Sequence, residues 1–165
     1  MEKENDLIDA LVAEWNVERP DLDVEAMQIV GRIMRLGKIF ENRASHVLKE
    51  NEIYYTDLDV LATLRRTGFP YQLSPKQLMK SVVLTSGAMT ALLNRLTKLE
   101  LIYRAPDEND GRISLAGLTE KGREVIDKAI EKRFDEAKDS IEILNKKEQE
   151  DLAILLKRLL VNLDN

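Results

Sequence analysis

A mainly α-helical fold with two short helices in tandem and one small β-hairpin is what the sequence predicts, and three patterns predict it. Apolar residues recur at helical spacing over long runs towards both ends of the chain. Two helix-start signals, "SPKQ" at 74–77 and "TSGA" at 85–88, stand close together in the middle. A proline, three acids and an arginine crowd around Gly111 in "PDENDGR", between two short stretches that read as strands.

The totals bound the possibilities. A chain of 165 residues can bury one core, so a single domain over 1–165 is expected. With 44% hydrophobic and 33% charged residues it reads as globular rather than disordered. There is no cysteine, which excludes a disulfide scaffold, a thiolate zinc site and a cysteine redox sensor. One histidine, His46, excludes a multi-histidine metal site. No apolar run approaches the roughly 20 residues needed to cross a bilayer, and the polar start "MEKENDLIDA" lacks a signal peptide's features. The expected location is the cytoplasm, with no cofactor and no membrane partner.

Net charge is −5, yet its distribution is uneven. Residues 65–112 hold eight basic and four acidic side chains, a net of +4, whereas the rest holds seventeen basic and twenty-six acidic, a net of −9. An acidic protein can bind DNA when its basic face is local.

Taken in order, residues 5–14 read as a short amphipathic helix ending near Trp15. Pro20 and the acids of "ERPDLD" break the pattern into a turn. From Val24 to about Lys49 the spacing of Met27, Val30, Ile33, Met34, Ile39, Phe40, Val47 and Leu48 predicts a long helix. Thr56, with Asp59 three residues on, resembles a capping box; Leu58, Leu61, Ala62 and Leu64 follow as a helix that Gly68, Phe69 and Pro70 stop. Ser74 is a cap, Pro75 suits the first helical position, and Gln77 can reach back, for a short helix ending near Val82 or Val83. Thr85, Ser86, Gly87 and Ala88 open the next helix, which runs to about Leu99 on a stripe of Met89, Leu92, Leu93, Leu96 and Leu99. Two such helices a few residues apart match a helix-turn-helix.

Residues 101–105 read as a strand, 106–111 as a tip, and Ile113, Leu115 and Gly117 as alternate positions of the return strand. Two strands after a helix-turn-helix make a wing. Thr119 caps a helix carrying Val125, Ile126, Ala129, Ile130 and Phe134 to about Ile143. Asn145 with Glu148 caps a last helix bearing Leu152, Leu155, Leu156, Leu159, Leu160 and Leu163. The terminal helices either cover the monomer's own core or interlock with a second copy. A dimer suits a DNA reader, because two half-sites one helical turn apart match a two-fold protein.

The chemistry concentrates in the middle segment. An arginine near a hairpin tip suits the narrow, negative minor groove, and Arg112 is the candidate, with Asp110 two residues earlier able to hold it. The alternative is a solvated ion pair worth little. Thr85, Ser86, Gly87 and Thr90 are small and polar at a helix start, which favours phosphate and close entry into the major groove; plain capping by Thr85 is the other reading. Ser74, Lys76 and Lys80 are candidate phosphate contacts, and Arg95 belongs to the same DNA-binding set.

The segment from Leu73 to Gly122, with "LSPKQL", "LTSGAMTALLNRLTKLELI" and "PDENDGRISLAGLTEKG", resembles the MarR family of winged helix-turn-helix transcription regulators. The spacing from the Asp-x-Arg tip to the Leu-Thr-x-x-Gly helix start is specific to that family. The resemblance implies a homodimer on double-stranded DNA with a pseudo-palindromic operator, usually a repressor released by a small-molecule effector. It assigns 56–118 to the winged helix-turn-helix and 1–50 with 120–165 to a helical dimerisation region. Two positions depart: Leu92 stands where relatives often offer an arginine, and Gly111 replaces a frequent basic residue. "AEWNVERPDLD", "GRIMRLGKIF" and "DVLATLRRTGFPYQLSP" are similar to the urate-responsive branch, whose ligand residues correspond to Trp15, Asp59 and Arg104, with Arg19 a looser match. An indole stacks on a planar ring, an arginine meets an anionic oxygen, and an aspartate accepts ring N–H groups. Each also has a plainer reading: Trp15 as packing, Asp59 as a cap, Arg104 as a phosphate contact or surface charge.

Two other classes compete. An enzyme would need a phosphate loop, a nucleophile elbow or a Cys-His or His-Glu-x-x-His arrangement, and none is present. A protein-interaction module that kept the fold but lost DNA binding is favoured by Leu92 and the weakly basic reading helix.

Overall fold

The structure, a computed structural model, describes residues 5–49, 53–82 and 85–164. The chain divides into two compact units, Met1–Arg43 and Ala44–Asn165.

The first unit holds α1 (Leu7–Glu18) and most of α2 (Glu25–Leu48). Asp6 opens α1 as a reciprocal cap: its carboxylate accepts the N–H groups of Ile8 and Asp9, and Asp9 accepts that of Asp6. Helix α1 runs three residues beyond Trp15, further than its apolar pattern predicts. Arg32 on α2 donates to Asp6, Asp9 and the Gln28 carbonyl, and Ile8 lies against Gly31, where a Cβ would come within 3.2 Å.

The second unit contains α3 (Tyr55–Arg66), β1 (Gln72–Leu73), α4 (Pro75–Leu78), α5 (Ser86–Lys98), β2 (Ile102–Pro106), β3 (Ser114–Leu118), α6 (Glu120–Ser140) and α7 (Lys146–Leu163). Its core gathers Leu58, Leu61 and Leu64 of α3, Leu78 of α4, and Met89, Leu92, Leu93 and Leu96 of α5. Leu101, just before β2, joins them with Ile102, Ala116 and Leu118 of the sheet and Ile126 and Ala129 of α6. At about 1.5–3 kcal/mol for each large apolar side chain buried, the α5 stripe alone accounts for several kcal/mol of adhesion.

Several expectations are corrected. The start of α3 lies earlier than Thr56, which sits inside the helix; Asp57, the third helical residue, accepts the Tyr54 N–H at 2.7 Å. Ser74 and Gln77 form the cap their spacing predicts, but the α-helical part of α4 ends at Leu78 and turns carry the chain to Val82. The alternative end at Val83 lies outside the described residues. The sheet has three antiparallel strands, in the order β1-β3-β2, rather than two. Two residues of β1 pair with Ala116 and Gly117, a strand too short for periodicity to reveal. The inward positions of β3 are Ala116 and Leu118, one residue out of step with the predicted alternation, and Ile113 is exposed in the tip. Helix α6 stops at Ser140, and Phe134 is exposed rather than packed.

One junction ties α6 to the end of α5. Thr119 accepts the Gly122 N–H and donates to the Glu100 carbonyl at 2.7 Å, while Lys121 donates to the Leu99 carbonyl. Gly122 lies so close to the Leu101 carbonyl that a Cβ would stand 1.9 Å from its oxygen.

Candidate nucleic-acid interface

Helix α5 begins with Thr85, whose hydroxyl accepts the Ala88 N–H. One side of α5 is buried through Met89, Leu92, Leu93 and Leu96. The opposite side leaves Ser86, Gly87, Thr90, Ala91 and Asn94 exposed. Nothing comes within 4 Å of a Cβ built at Gly87, so no internal contact requires glycine there. Thr90 donates back to the Ser86 carbonyl, 3.1 Å away. The outer side of α5 is thus low in relief, rich in hydroxyls and without a carboxylate. Lys76 and Lys80 are exposed on and just after α4. The Ser74 hydroxyl is held by Gln77 as part of the cap.

Leu92 lies in the core at 8% exposure, so the residue that stands where relatives carry an arginine is not on the outer side of α5. Arg95, also in the predicted set, is engaged within the unit. Its guanidinium pairs with the carboxylate of Asp57, which is fully buried, and lies under the Tyr54 ring, 4.4 Å from the centroid. Asn94, which sequence reasoning did not place among the site residues, lies on the outer side instead; its hydrophilic neighbour Thr90, four residues earlier, was the available signal.

The wing pairs β2 with β3 from Ile102↔Leu118 to Pro106↔Ser114. Tyr103 lies across Gly117, where any Cβ would meet the ring at 2.5 Å. At the tip Asp107 accepts the N–H groups of Asn109 and Asp110, and Ile113 N–H closes a turn on the Asp110 carbonyl. That turn, not strand alternation, brings Asp110 and Arg112 together. Arg112 Nε and Nη2 donate to the two Asp110 oxygens at 2.8 and 3.0 Å. The guanidinium bond, aided by the Arg112 N–H, holds the Asp110 carboxyl below the usual aspartate range.

The candidate ligand residues fall in both units. Trp15, 53% exposed, and Arg19 belong to the first. Arg19 is already bidentate on Asp21, at 2.8 and 2.6 Å. Asp59 and Arg104 belong to the second. Asp59 is half-buried, and burial raises its pKa against the opposing charge of Arg66. Exposed Arg104 donates to the Ser114 hydroxyl across the wing. A cleft of about 300 Å³ at the wing's base is lined by Phe69, Pro70, Tyr71, Tyr103, Leu118, Thr119, Glu120 and Arg123, none of them a candidate ligand residue. Among the described residues no cluster of three His, Asp or Glu side chains can hold a metal ion, and no helix is long and apolar enough to cross a membrane.

A helix-turn-helix set on a three-stranded sheet, with an arginine at the tip of its hairpin, defines a winged helix-turn-helix DNA-binding fold. The MarR family model matches residues 55–113, from α3 to the wing tip. The transcriptional regulator PecS of Dickeya dadantii is 32% identical over 155 residues, covering 94% of this chain and 93% of PecS. The protein therefore belongs to the MarR family of DNA-binding transcriptional regulators. Among solved structures, the MarR regulator Sco3205 of Streptomyces coelicolor in complex with DNA superposes with a TM-score of 0.78 at 18% identity, over 87% of this chain and 91% of that one. The organohalide-sensing regulator RdhR, bound to 2,4-dichlorophenol, gives a TM-score of 0.71 at 21% identity, over 84% and 80%. These two likenesses concern the fold. The relatives are regulators rather than enzymes.

Proposed function

We propose that the protein is a homodimeric repressor that reads a pseudo-palindromic operator and releases it when a small planar anionic or aromatic molecule such as urate binds. The observation that carries this reading is the two-sidedness of α5: one side is buried in the core and the other is a low, hydroxyl-rich surface that carries no carboxylate. Its small residues admit the helix to the major groove. Lys76, Lys80 and the start of α5 meet phosphates, and Arg112 enters the flanking minor groove. Residues 56–118 form the reading part, and 1–50 with 120–165 the dimerisation region. It acts in the cytoplasm, where its operator lies.

A second copy is supported by α7, none of whose residues is buried although six leucines recur along it. An apolar stripe of that length is unfavourable in water without a partner. Burial of Leu92 bears on one of the two features that favoured an interaction module without DNA binding; the weakly basic character of α5 is the other.

The effector residues are Trp15, Asp59 and Arg104, with Arg19. Their chemistry suits a flat ring bearing N–H groups and an anionic oxygen, and RdhR shows that a regulator of this fold takes a phenol. Release requires that the ligand bind the DNA-incompetent state more tightly than the DNA-bound one. The test is a titration against the DNA upstream of the protein's own gene, with and without urate. Tight binding relieved by urate supports repressor and effector together. Tight binding indifferent to urate removes urate and turns the search to phenols and other purines. Absence of binding even at low salt overturns the DNA-reading proposal.

A further inference from the structure

We propose that Arg95 is a positioning residue for DNA reading: paired with buried Asp57, it sets the rotation of α5 about its own axis and does not itself touch DNA. The inference rests on the proposed use of α5 as the reading helix. Met89, Leu92, Leu93 and Leu96 hold α5 at its depth, but apolar contact is non-directional and does not by itself fix a rotation. A charge-assisted hydrogen bond is directional. Arg95 is on α5, and its partner carboxylate is 0% exposed at the start of α3, where it also accepts the Tyr54 N–H. The Tyr54 ring lies over the guanidinium, so both ends of the bond are fixed by the same turn of α3.

The carboxylate depends on this partner. Asp57 Oδ1 is buried and has no hydrogen-bond partner among the described residues, which leaves Arg95 as the cation that neutralises it there. Were the arginine drawn out towards a phosphate, a buried charge would be stranded. Arg95 directly follows Asn94 on the outward side, so the setting of one decides the aim of the other. With side chains reaching some 5–6 Å from the helix axis, a rotation of about 20° swings an outward tip by about 2 Å. That is well beyond the tolerance of a hydrogen bond to a base edge.

The experiment uses the full chain and the duplex that wild type selects from a randomised library, with affinity measured across a range of salt. Two variants are compared: Asp57→Asn, and the neutral pair Asp57→Asn/Arg95→Met. Both are checked for cooperative thermal unfolding. The expected result is a loss of tenfold or more in affinity, alike in both variants. The slope of log affinity against log salt should not change, because no phosphate contact is removed. Affinity within twofold of wild type in both overturns the proposal. So does a slope that falls by about one per arginine in the pair, which makes Arg95 a phosphate ligand. If the pair fails to fold, Asp57→Asn decides alone: it leaves the arginine's charge available to DNA, so unchanged or tighter binding overturns the proposal. A wild type that selects no duplex sinks the reading-helix assignment itself.

Discussion

Arg112 is gripped by both carboxylate oxygens of Asp110 while its own side chain stays 92% exposed. Water screens such a pair, so it adds little to stability. Its effect is to hold a guanidinium upright at the end of the wing. Arg112→Ala is expected to leave the melting temperature within about 2 °C of wild type. It should weaken DNA binding roughly ten- to a hundredfold at every sequence alike and lower the salt slope by about one for each arginine lost. Equal affinity at physiological salt removes Arg112 from the interface.

Two glycines separate folding from reading. Gly122→Ala puts a methyl 1.9 Å from the Leu101 carbonyl oxygen, a clash with backbone that no rotamer relieves. It should cost on the order of 3 kcal/mol and lower the melting temperature by roughly 6–12 °C. Gly87→Ala meets nothing and replaces a poor helix former in the first turn of α5, so stability should hold or rise slightly. The added methyl nevertheless stands on the outward side, and DNA affinity should fall about tenfold if α5 enters the groove closely. Thermal melts and gel shifts on the two proteins distinguish the effects; undiminished DNA binding by Gly87→Ala speaks against close entry.

What the sequence made legible follows the range of the interactions involved. Caps at Ser74, Thr85, Thr119 and Asn145 are local, set by residues three apart, and each is found where its spacing predicts it. The wing was readable because its turn residues are local too. Strand β1 was not: it exists because Gln72 and Leu73 meet β3 from forty-odd residues away, and two residues carry no period. The ion pair of Arg95 was hidden for the same reason: its partner Asp57 is 38 residues away, and nothing local marks that acid as buried. Leu92 shows the converse, since reading its position against relatives suggested a lost contact whereas the α5 stripe alone, with Met89 and Leu96, already placed it inward.

The leucines of α7 make the proposed dimer testable without disturbing either compact unit. Leu152, Leu156, Leu159 and Leu163 share one side of the helix, and all are exposed, by 41 to 77%. Substitution of exposed residues changes a monomer's stability by only about 0.5 kcal/mol. Leu156→Asp/Leu159→Asp should therefore leave the fold of the chain intact and raise the dimer dissociation constant at least a hundredfold. Sedimentation equilibrium reads this directly. A variant that remains as dimeric as wild type places the interface elsewhere.

Asp59 gives a prediction in pH. Burial raises its pKa above the ordinary value, with Arg66 opposing. Above that raised value the folded protein carries a half-buried charge that the unfolded chain holds more comfortably in water, so Asp59 costs stability there. As pH falls through the raised value the carboxyl takes its proton earlier in the folded state, and the cost disappears by the ordinary value of 3.8. Asp59→Asn removes the charge at every pH. Its melting temperature should exceed that of wild type at pH 7, and the two should converge as the pH approaches 4. If Asp59 also accepts the effector's N–H groups, the same variant keeps its DNA affinity at pH 7 but loses release by urate. A variant that is more stable at pH 7 yet still released would leave Asp59 a buried acid and nothing more.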